Sequence, residues 1–132
     1  MGNGTSIGRV RGLGSSHAGP HHWLLQRFTA IGNLVLALWL LASLLLLPDH
    51  DYATVHSWLA QPLSATAMIL LIVSTFWHAR LGLQVLFEDY VHDEGMKFVV
   101  LALLNTVPLA AGVFGVVCVL RIVFSAASGG AA

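Results

Sequence analysis

This chain of 132 residues is 57% hydrophobic and carries only six basic and six acidic side chains. A soluble domain of this length cannot hide so much apolar surface, so the composition excludes an ordinary globular protein and predicts a chain embedded in the bilayer. Its formal net charge of zero, with histidines counted as neutral, gives no argument for nucleic-acid binding.

The first 22 residues form a polar segment rich in glycine, serine and histidine. It contains Arg9 and Arg11, but no hydrophobic region follows them at the distance found in secretory signal peptides. The histidine-containing stretch at residues 17–22 has no acidic residue or cysteine, so a metal-binding tract is the less favoured interpretation. We therefore expect a polar flank that precedes the first membrane span.

Three apolar stretches follow, and each is long enough to cross a hydrocarbon core about 30 Å thick. Pro108 lies inside the third stretch, where it is expected to remove one backbone hydrogen bond and bend the helix. Gly112 and Gly115 are expected to let a partner helix approach closely. The predicted fold is an all-α membrane protein with a three-helix anchor at residues 23–124 and a flexible tail at 125–132. The predicted spans are residues 26–47, 62–88 and 97–121.

Basic residues around the first span predict the orientation of the chain. Three arginines come before or at the start of that span, whereas the loop at residues 48–61 has no lysine or arginine. The positive-inside rule therefore places the N-terminus in the cytoplasm and, after three spans, the C-terminus in the periplasm. Arg121 alone opposes this orientation and is outweighed by Arg9, Arg11 and Arg27.

The second span contains the residues that carry chemical information. His78 and Asp89 are separated by about three helical turns plus roughly 20°, so they share a face at an axial distance of about 16 Å. Gly82 lies on the same face one turn from His78, where its missing side chain leaves room for a flat, bulky group. Tyr90 follows Asp89 at the expected water boundary. This arrangement predicts a cofactor site stacked under a polar site at the membrane interface.

Each of these residues also has a simpler interpretation. A neutral imidazole is a good iron ligand, and an ionisable side chain deep in the membrane usually has a function, but hydrogen bonding to a neighbouring helix is the alternative for His78. The Tyr90 phenol is suited to donate a hydrogen bond to a bound molecule, while Asp89 accepts one or relays protons. The alternative for this pair is a tyrosine of the interfacial aromatic belt followed by solvated acids.

The stretch from His78 to His92 reads H-x-R-x-G-x-x-x-x-x-E-D-Y-V-H and resembles the second transmembrane helix of the smaller hydrophobic membrane anchor in succinate dehydrogenase, which is respiratory complex II. The resemblance covers most of the chain, because three spans and a start that bears histidine and arginine are also features of this family. It implies that His78 is one axial ligand of a b-type haem. It also implies that Asp89 and Tyr90 border the site of ubiquinone reduction.

The same resemblance implies that His21 and Arg27 lie near the haem propionates, which suits cationic donors that face carboxylates. The alternative is a positively charged flank whose long side chains extend to the interface. Arg80 points about 200° away from His78, and a propionate, a lipid head group and a partner chain all remain open as its partners. Asn105 in the third span is expected to hold helices together.

The resemblance further implies membership of a hetero-oligomeric complex in the bacterial inner membrane. Since no second histidine of this chain is expected at membrane depth, the other haem ligand would come from the larger membrane anchor of the complex. Electrons from succinate would pass through the flavoprotein and the iron–sulfur protein of the complex and reach ubiquinone beside Tyr90. Two other functions remain open from the residues alone: a homo-oligomeric small cytochrome b, and a non-enzymatic membrane scaffold or assembly protein.

Overall fold

The computed structural model describes residues 19–129 of the chain. Four helices contain almost all of them: α1 (Gly19–Leu45), α2 (Tyr52–Ala60), α3 (Pro62–Tyr90) and α4 (Glu94–Gly129). No strand occurs between residues 19 and 129, which confirms the predicted all-α fold class. Arg9, Arg11 and the other residues of 1–18 lie outside the described residues, as do residues 130–132.

Three of the four helices are long and apolar enough to cross a membrane, which confirms the predicted number of spans. Their apolar parts are Pro20–Leu45, Pro62–Phe87 and Glu94–Ser128. Where burial is described between residues 20 and 128, only five residues are buried: Ser64, Ala65, Leu81, Gly112 and Val119. Helices that bury so little in one another need lipid or other polypeptides around them, because their large apolar side chains are exposed in the single chain.

Helix α1 begins earlier than the predicted first span. It starts at Gly19, with Pro20 in its first turn, where the N–H that proline lacks needs no helical partner. His21 and His22 are therefore helical and do not belong to an irregular flank. The polar segment predicted for residues 1–22 thus meets the helix four residues before its expected end.

Helix α4 ends later than the predicted third span. It continues to Gly129, so residues 125–129 are helical where the sequence predicts a flexible tail. Two hydroxyls in this stretch bond back to their own helix: Ser125 donates to the Ile122 carbonyl and Ser128 to the Ser125 carbonyl, each at 2.9 Å. Small residues that find these local partners, together with alanines of high helix propensity, continue the helix.

Helix α2 lies within residues 48–61, for which the sequence predicts a loop between the first two spans. Asp51 caps its N-terminus, because the Asp51 carboxylate accepts a hydrogen bond from the Thr54 backbone N–H at 2.9 Å. Hydrogen bonds from the Thr54 side chain and backbone lower the pKa of Asp51 below its usual value. The signal for this helix is present in the sequence as an aspartate directly before nine helix-compatible residues.

Aromatic and polar contacts attach α2 to the ends of the long helices. The rings of Trp39 on α1 and Trp58 on α2 stack with their centroids 5.8 Å apart. The Ser125 hydroxyl oxygen on α4 lies 3.3 Å from Nε2 of His56 on α2. Helix α2 therefore closes the end of the bundle where α1 finishes and α3 begins, and we call this the α2 end.

Helix α3 is the central element, since it packs against both α1 and α4. Its contact with α1 is antiparallel, because the start of α1 meets the later part of α3. The connection from α3 to α4 is only three residues long, and the Asp93 carboxylate caps the start of α4 by accepting from the Met96 N–H at 2.8 Å. The starts of α1 and α4 and the end of α3 thus lie together at what we call the Tyr90 end.

Glycines bring α4 close to α3, as the sequence predicts. A Cβ atom at Gly112 would lie 3.5 Å from the Phe76 ring, and one at Gly115 would lie only 3.1 Å from the Ile72 side chain. Because these positions have no side chain, the side chains of α3 come within van der Waals contact of the α4 backbone. The predicted close approach at these glycines is confirmed.

Candidate functional site

His78 faces α1 and is held there by a threonine. Its imidazole is half-buried, and its Nδ1 lies 3.0 Å from the hydroxyl oxygen of Thr29. The same hydroxyl oxygen lies 2.9 Å from the Leu25 carbonyl and 3.1 Å from the Gln26 carbonyl of its own helix. No hydrogen bond joins the other ring nitrogen, Nε2, to any residue between 19 and 129. One nitrogen of His78 is therefore held in place and the other remains available.

Thr29 belongs to a row of polar residues that sequence reasoning missed. The row, which we call the α1 polar face, consists of His22, Gln26, Thr29 and Asn33. Their spacing of four, three and four residues places them on one side of a helix. This spacing is a readable signal, because a membrane span with polar residues on one side only has to turn that side toward protein or a cavity.

Two atoms of the α1 polar face are buried without a hydrogen-bond partner among the residues that the structure describes. They are Nε2 of His22 and Oδ1 of Asn33, which lie on either side of Thr29 along the helix. A buried polar atom without a partner destabilises a structure by about 1–3 kcal/mol. The contact between α1 and α3 is therefore polar and incompletely satisfied within this single chain.

Gly82 also faces α1, on the same side of α3 as His78. A Cβ atom at Gly82 would lie 3.6 Å from the Gln26 side-chain nitrogen, which is an ordinary van der Waals distance. The space expected beside this glycine is thus bordered by an amide that can donate and accept hydrogen bonds. The structure brings Gly82 and His78 to the same interface and adds Gln26 to it.

Asp89 and Tyr90 lie in the last turn of α3 and are both exposed, Tyr90 to 76% of its surface. In the part of the chain that the structure describes, no hydrogen bond reaches the Asp89 carboxylate or the Tyr90 phenol; the His92 ring N–H donates to the Tyr90 backbone carbonyl at 3.1 Å. Twelve residues separate Tyr90 from His78, which corresponds to about 18 Å along the helix. The two predicted sites are therefore separate, and the one at Tyr90 is open to a partner.

His21 and Arg27 are exposed on the first turns of α1. The Arg27 guanidinium lies 5.2 Å from the centre of the Trp23 ring, in a cation–π contact at the outer surface of the helix. Six residues correspond to about 240° around a helix, so His21 and Arg27 do not share a face. His22, and not its neighbour His21, is the histidine directed toward α3.

Arg80 faces α4, on the side of α3 opposite to His78. Its Nε–H donates to the Asn105 side-chain oxygen at 2.7 Å, and its guanidinium lies 5.2 Å from the centre of the Trp77 ring. Asn105 thereby links two helices, which confirms its expected role. Arg80 and Asn105 also border an apolar cavity of about 440 Å³ between α3 and α4. Since His78 faces α1, a group bound at His78 does not share a helix face with Arg80.

Between residues 19 and 129, no three histidine, cysteine, aspartate or glutamate side chains come together in a way that would hold a metal ion. Among the described residues, His78 is therefore not part of a group of three or more such side chains.

The sequence is similar to those of known membrane subunits. Residues 1–124 match the family of succinate dehydrogenase/fumarate reductase transmembrane subunits. The succinate dehydrogenase hydrophobic membrane anchor subunit of Rickettsia bellii is 30% identical over 117 residues, which are 89% of this chain and 88% of the relative. The succinate dehydrogenase membrane anchor subunit of Reclinomonas americana is 32% identical over 95 residues, 70% of this chain and 79% of the relative. No solved structure matches the chain significantly.

Proposed function

The chain belongs to the succinate dehydrogenase/fumarate reductase transmembrane subunit family, and we propose that it is the smaller hydrophobic membrane anchor of a bacterial succinate dehydrogenase. The family expected from the spacing of His78, Asp89 and Tyr90 is confirmed by the match over residues 1–124. The relatives are named as hydrophobic membrane anchor subunits, and the chain matches them over most of their length. Three apolar helices that leave most of their surface exposed support a role in holding an assembly in the membrane.

The observation that carries the finer proposal is the state of His78. Its Nδ1 is engaged by Thr29, its Nε2 has no hydrogen bond within residues 19–129, and it lies nine residues before the end of the second span. Metal-bound histidines commonly use one ring nitrogen for the metal while the other hydrogen-bonds a protein group. His78 therefore fits the part of one axial ligand to a haem b, and the larger membrane anchor would supply the other ligand. Bound there, the haem would supply one-electron chemistry within the membrane.

Residues around His78 are proposed to shape the haem site. Gly82 has no side chain and so leaves space on the face of α3 that contains His78, and the Gln26 amide borders this space. His21 and Arg27 are exposed at the Tyr90 end, where cationic side chains suit propionates. Either side chain would bind a propionate as a cationic hydrogen-bond donor.

The Tyr90 end is proposed to border the quinone site. The exposed Tyr90 phenol would donate a hydrogen bond to a quinone carbonyl, and the neighbouring Asp89 would accept protons from water and pass them on. Reduction of a quinone to a quinol takes up two electrons and two protons. The electrons would come from succinate through the flavoprotein and iron–sulfur protein of the complex, and the protons would come from water at this end of the bundle.

The orientation proposed from the arginines agrees with this arrangement. With the N-terminus in the cytoplasm, the Tyr90 end faces the cytoplasm, where the soluble proteins of the complex can dock. The exposure of Asp89 and Tyr90 leaves both residues accessible to such a partner. The α2 end, with Arg121 and the end of α4 nearby, would then face the periplasm of the bacterial inner membrane.

Purification in a mild detergent tests the proposal. We expect the flavoprotein, the iron–sulfur protein and the larger membrane anchor to accompany the chain, with a b-type reduced-minus-oxidised haem spectrum. Haem without these partners would instead identify a homo-oligomeric cytochrome. The absence of both haem and partners would identify a scaffold.

A matched pair of variants tests the ligand assignment in the same preparation. His78→Ala should abolish or change the spectrum, because it removes the imidazole proposed to bind iron. His56→Ala, which removes another half-buried histidine beside a hydroxyl, should leave the spectrum intact. An unaltered spectrum in His78→Ala contradicts the assignment.

A further inference from the structure

We propose that Thr29 is a positioning residue for His78: its hydroxyl oxygen accepts a hydrogen bond from Nδ1–H, which leaves Nε2 without a proton and able to bind iron. This inference rests on the proposed function of His78 as a haem ligand. It adds a residue of α1 to a site that the sequence pattern locates on α3. The assignment follows from the number of protons available at one oxygen atom.

The Thr29 hydroxyl has one proton and three neighbours that compete for it. Two of them, the carbonyls of Leu25 and Gln26 at 2.9 and 3.1 Å, can only accept a hydrogen bond. The third is Nδ1 of His78 at 3.0 Å, which can either donate or accept. Threonine in a helix commonly donates to a carbonyl three or four residues earlier. When it does so here, its oxygen has only lone pairs left for His78, so Nδ1 has to be the donor.

The tautomer of His78 follows from that assignment. A neutral imidazole carries one proton, so a proton on Nδ1 leaves Nε2 as a bare lone pair. The opposite arrangement, with Thr29 donating to Nδ1, would place the ring proton on Nε2 and block ligation by that nitrogen. Only the first arrangement satisfies a helix carbonyl, the threonine oxygen and the ring at the same time.

The hydrogen bond has two consequences for a bound iron. It fixes the rotation of the imidazole ring against α1, because Thr29 is itself held to two carbonyls of its own helix. It also increases the basicity of the ligating nitrogen, since a hydrogen bond from Nδ1–H leaves more electron density in the ring. A more basic ligand stabilises ferric iron relative to ferrous iron, so the contact with Thr29 lowers the reduction potential of the haem.

Three substitutions in the complete complex test this inference. Thr29→Val keeps the shape and removes the hydroxyl, whereas Thr29→Ser keeps the hydroxyl. Ser125→Ala is the matched control, because Ser125 also bonds a carbonyl of its own helix and lies 3.3 Å from a histidine nitrogen, at the α2 end. The measurements are the midpoint potential of the b-type haem and the rate at which the haem leaves for an excess of apomyoglobin.

We expect Thr29→Val to move the midpoint potential to a more positive value and to speed haem loss about 10-fold to 100-fold, the range typical of a lost partner behind a metal ligand. Thr29→Ser and Ser125→Ala should keep the parental potential and rate. If Thr29→Val fails to assemble, Thr29→Cys, whose sulfur is a weaker acceptor, should shift both quantities in the same direction by less.

The outcomes distinguish failure of this inference from failure of the proposed function. A parental complex that contains haem, together with a Thr29→Val or Thr29→Cys variant of unchanged potential and haem-loss rate, overturns the role of Thr29 and leaves His78 as the ligand. If Thr29→Ser changes the potential and the haem-loss rate as much as Thr29→Val does, the role of Thr29 is overturned as well. The methyl group of Thr29 would then matter more than its hydroxyl. A parental complex without haem overturns both.

Discussion

The two sides of helix α3 are built from different interactions. Toward α1, the contact is polar: Thr29 holds His78, and the α1 polar face contains two buried atoms without hydrogen-bond partners among the described residues. Toward α4, the contact is mainly close packing of Phe76 and Ile72 against glycines. The polar link on that side, between Arg80 and Asn105, has a donor and an acceptor at 2.7 Å.

This difference indicates that the two interfaces of α3 have different roles. Unsatisfied polar atoms are costly in an apolar environment, so an interface that contains them is retained for something other than cohesion. An interface of glycines and apolar side chains brings helices together in lipid without such a cost. The proposed chemistry therefore lies on the α1 side and at the Tyr90 end of α3, and close packing of helices lies on the α4 side.

The largest expected effect comes from the Tyr90 end. Tyr90→Phe removes one hydroxyl and should lower ubiquinone reductase activity about 100-fold, the scale of a lost proton or hydrogen-bond donor at a reacting group. Oxidation of succinate with an artificial soluble acceptor should persist, because that activity does not require the membrane site. The assay compares both activities in the same preparation.

The chain provides a matched control for this variant. Tyr52 is the only other tyrosine and is 83% exposed at the α2 end, so Tyr52→Phe makes the same chemical change away from the proposed site. It should leave both activities unchanged. Unchanged ubiquinone reduction in Tyr90→Phe would contradict the proposed role of the phenol, whereas equal loss of the two activities would mean that the variant fails to assemble.

The cohesion of the α4 side is tested by adding a single methyl group. Gly115→Ala places a Cβ atom 3.1 Å from Ile72, a β-branched residue with little freedom to move aside, whereas Gly32→Ala on the α1 side meets only Ser74 at 3.8 Å. Both variants replace glycine by alanine within a helix, so the gain in helix propensity is the same and does not affect the comparison of their stabilities. Overpacking should leave Gly115→Ala about 1–3 kcal/mol less stable than Gly32→Ala in thermal unfolding in detergent. Equal stability of the two variants would remove the distinction between the sides.

The three spans could be predicted because the bilayer imposes simple rules. Length and apolarity identify a span whatever surrounds it, and an imidazole such as His78 is conspicuous within one. The partner of His78 could not be predicted, because spacing along α3 does not tell which neighbouring helix meets that face. Thr29 is an ordinary residue in sequence, and only the packing of α1 against α3 gives it a role. Helix α2 is harder to predict for a different reason: its nine residues are too few to cross the membrane, so they are easily taken as part of the connection between two spans.

A smaller effect is expected at the polar link between α3 and α4. Asn105→Leu removes the acceptor for Nε–H of Arg80 and should lower stability by about 0.6 kcal/mol, the average measured for side-chain hydrogen bonds between membrane helices, and by no more than about 1.7 kcal/mol. The haem potential should stay unchanged, because Arg80 faces away from His78. Thr106→Leu is the control, since the Thr106 hydroxyl bonds its own helix at the Ala102 carbonyl. A shifted potential in Asn105→Leu would show that the two sides of α3 are coupled.

The smallest effect is expected at Asp51, outside the spans, and it depends on pH. Hydrogen bonds from the Thr54 side chain and backbone lower the pKa of Asp51 in the folded chain below the usual value of 3.8. A group with a lowered folded pKa stabilises the fold above its unfolded pKa and loses that contribution as the pH falls through the folded value. The ionised cap should therefore support α2 at pH 6 and fail progressively below about pH 3.8.

Asp51→Asn isolates this contribution, because asparagine also caps a helix but does not titrate. The parental protein should unfold at a slightly higher temperature than Asp51→Asn at pH 6, since a negative charge at a helix N-terminus is favourable. The difference in unfolding temperature should become smaller at pH 3. All other carboxylates are the same in both proteins, so their contributions to this difference cancel. Because Trp58 of α2 stacks on Trp39, tryptophan fluorescence can follow the detachment of this helix directly. A gap that widens toward low pH would mean that the charge of Asp51 opposes α2, and the cap would then owe its strength to geometry alone.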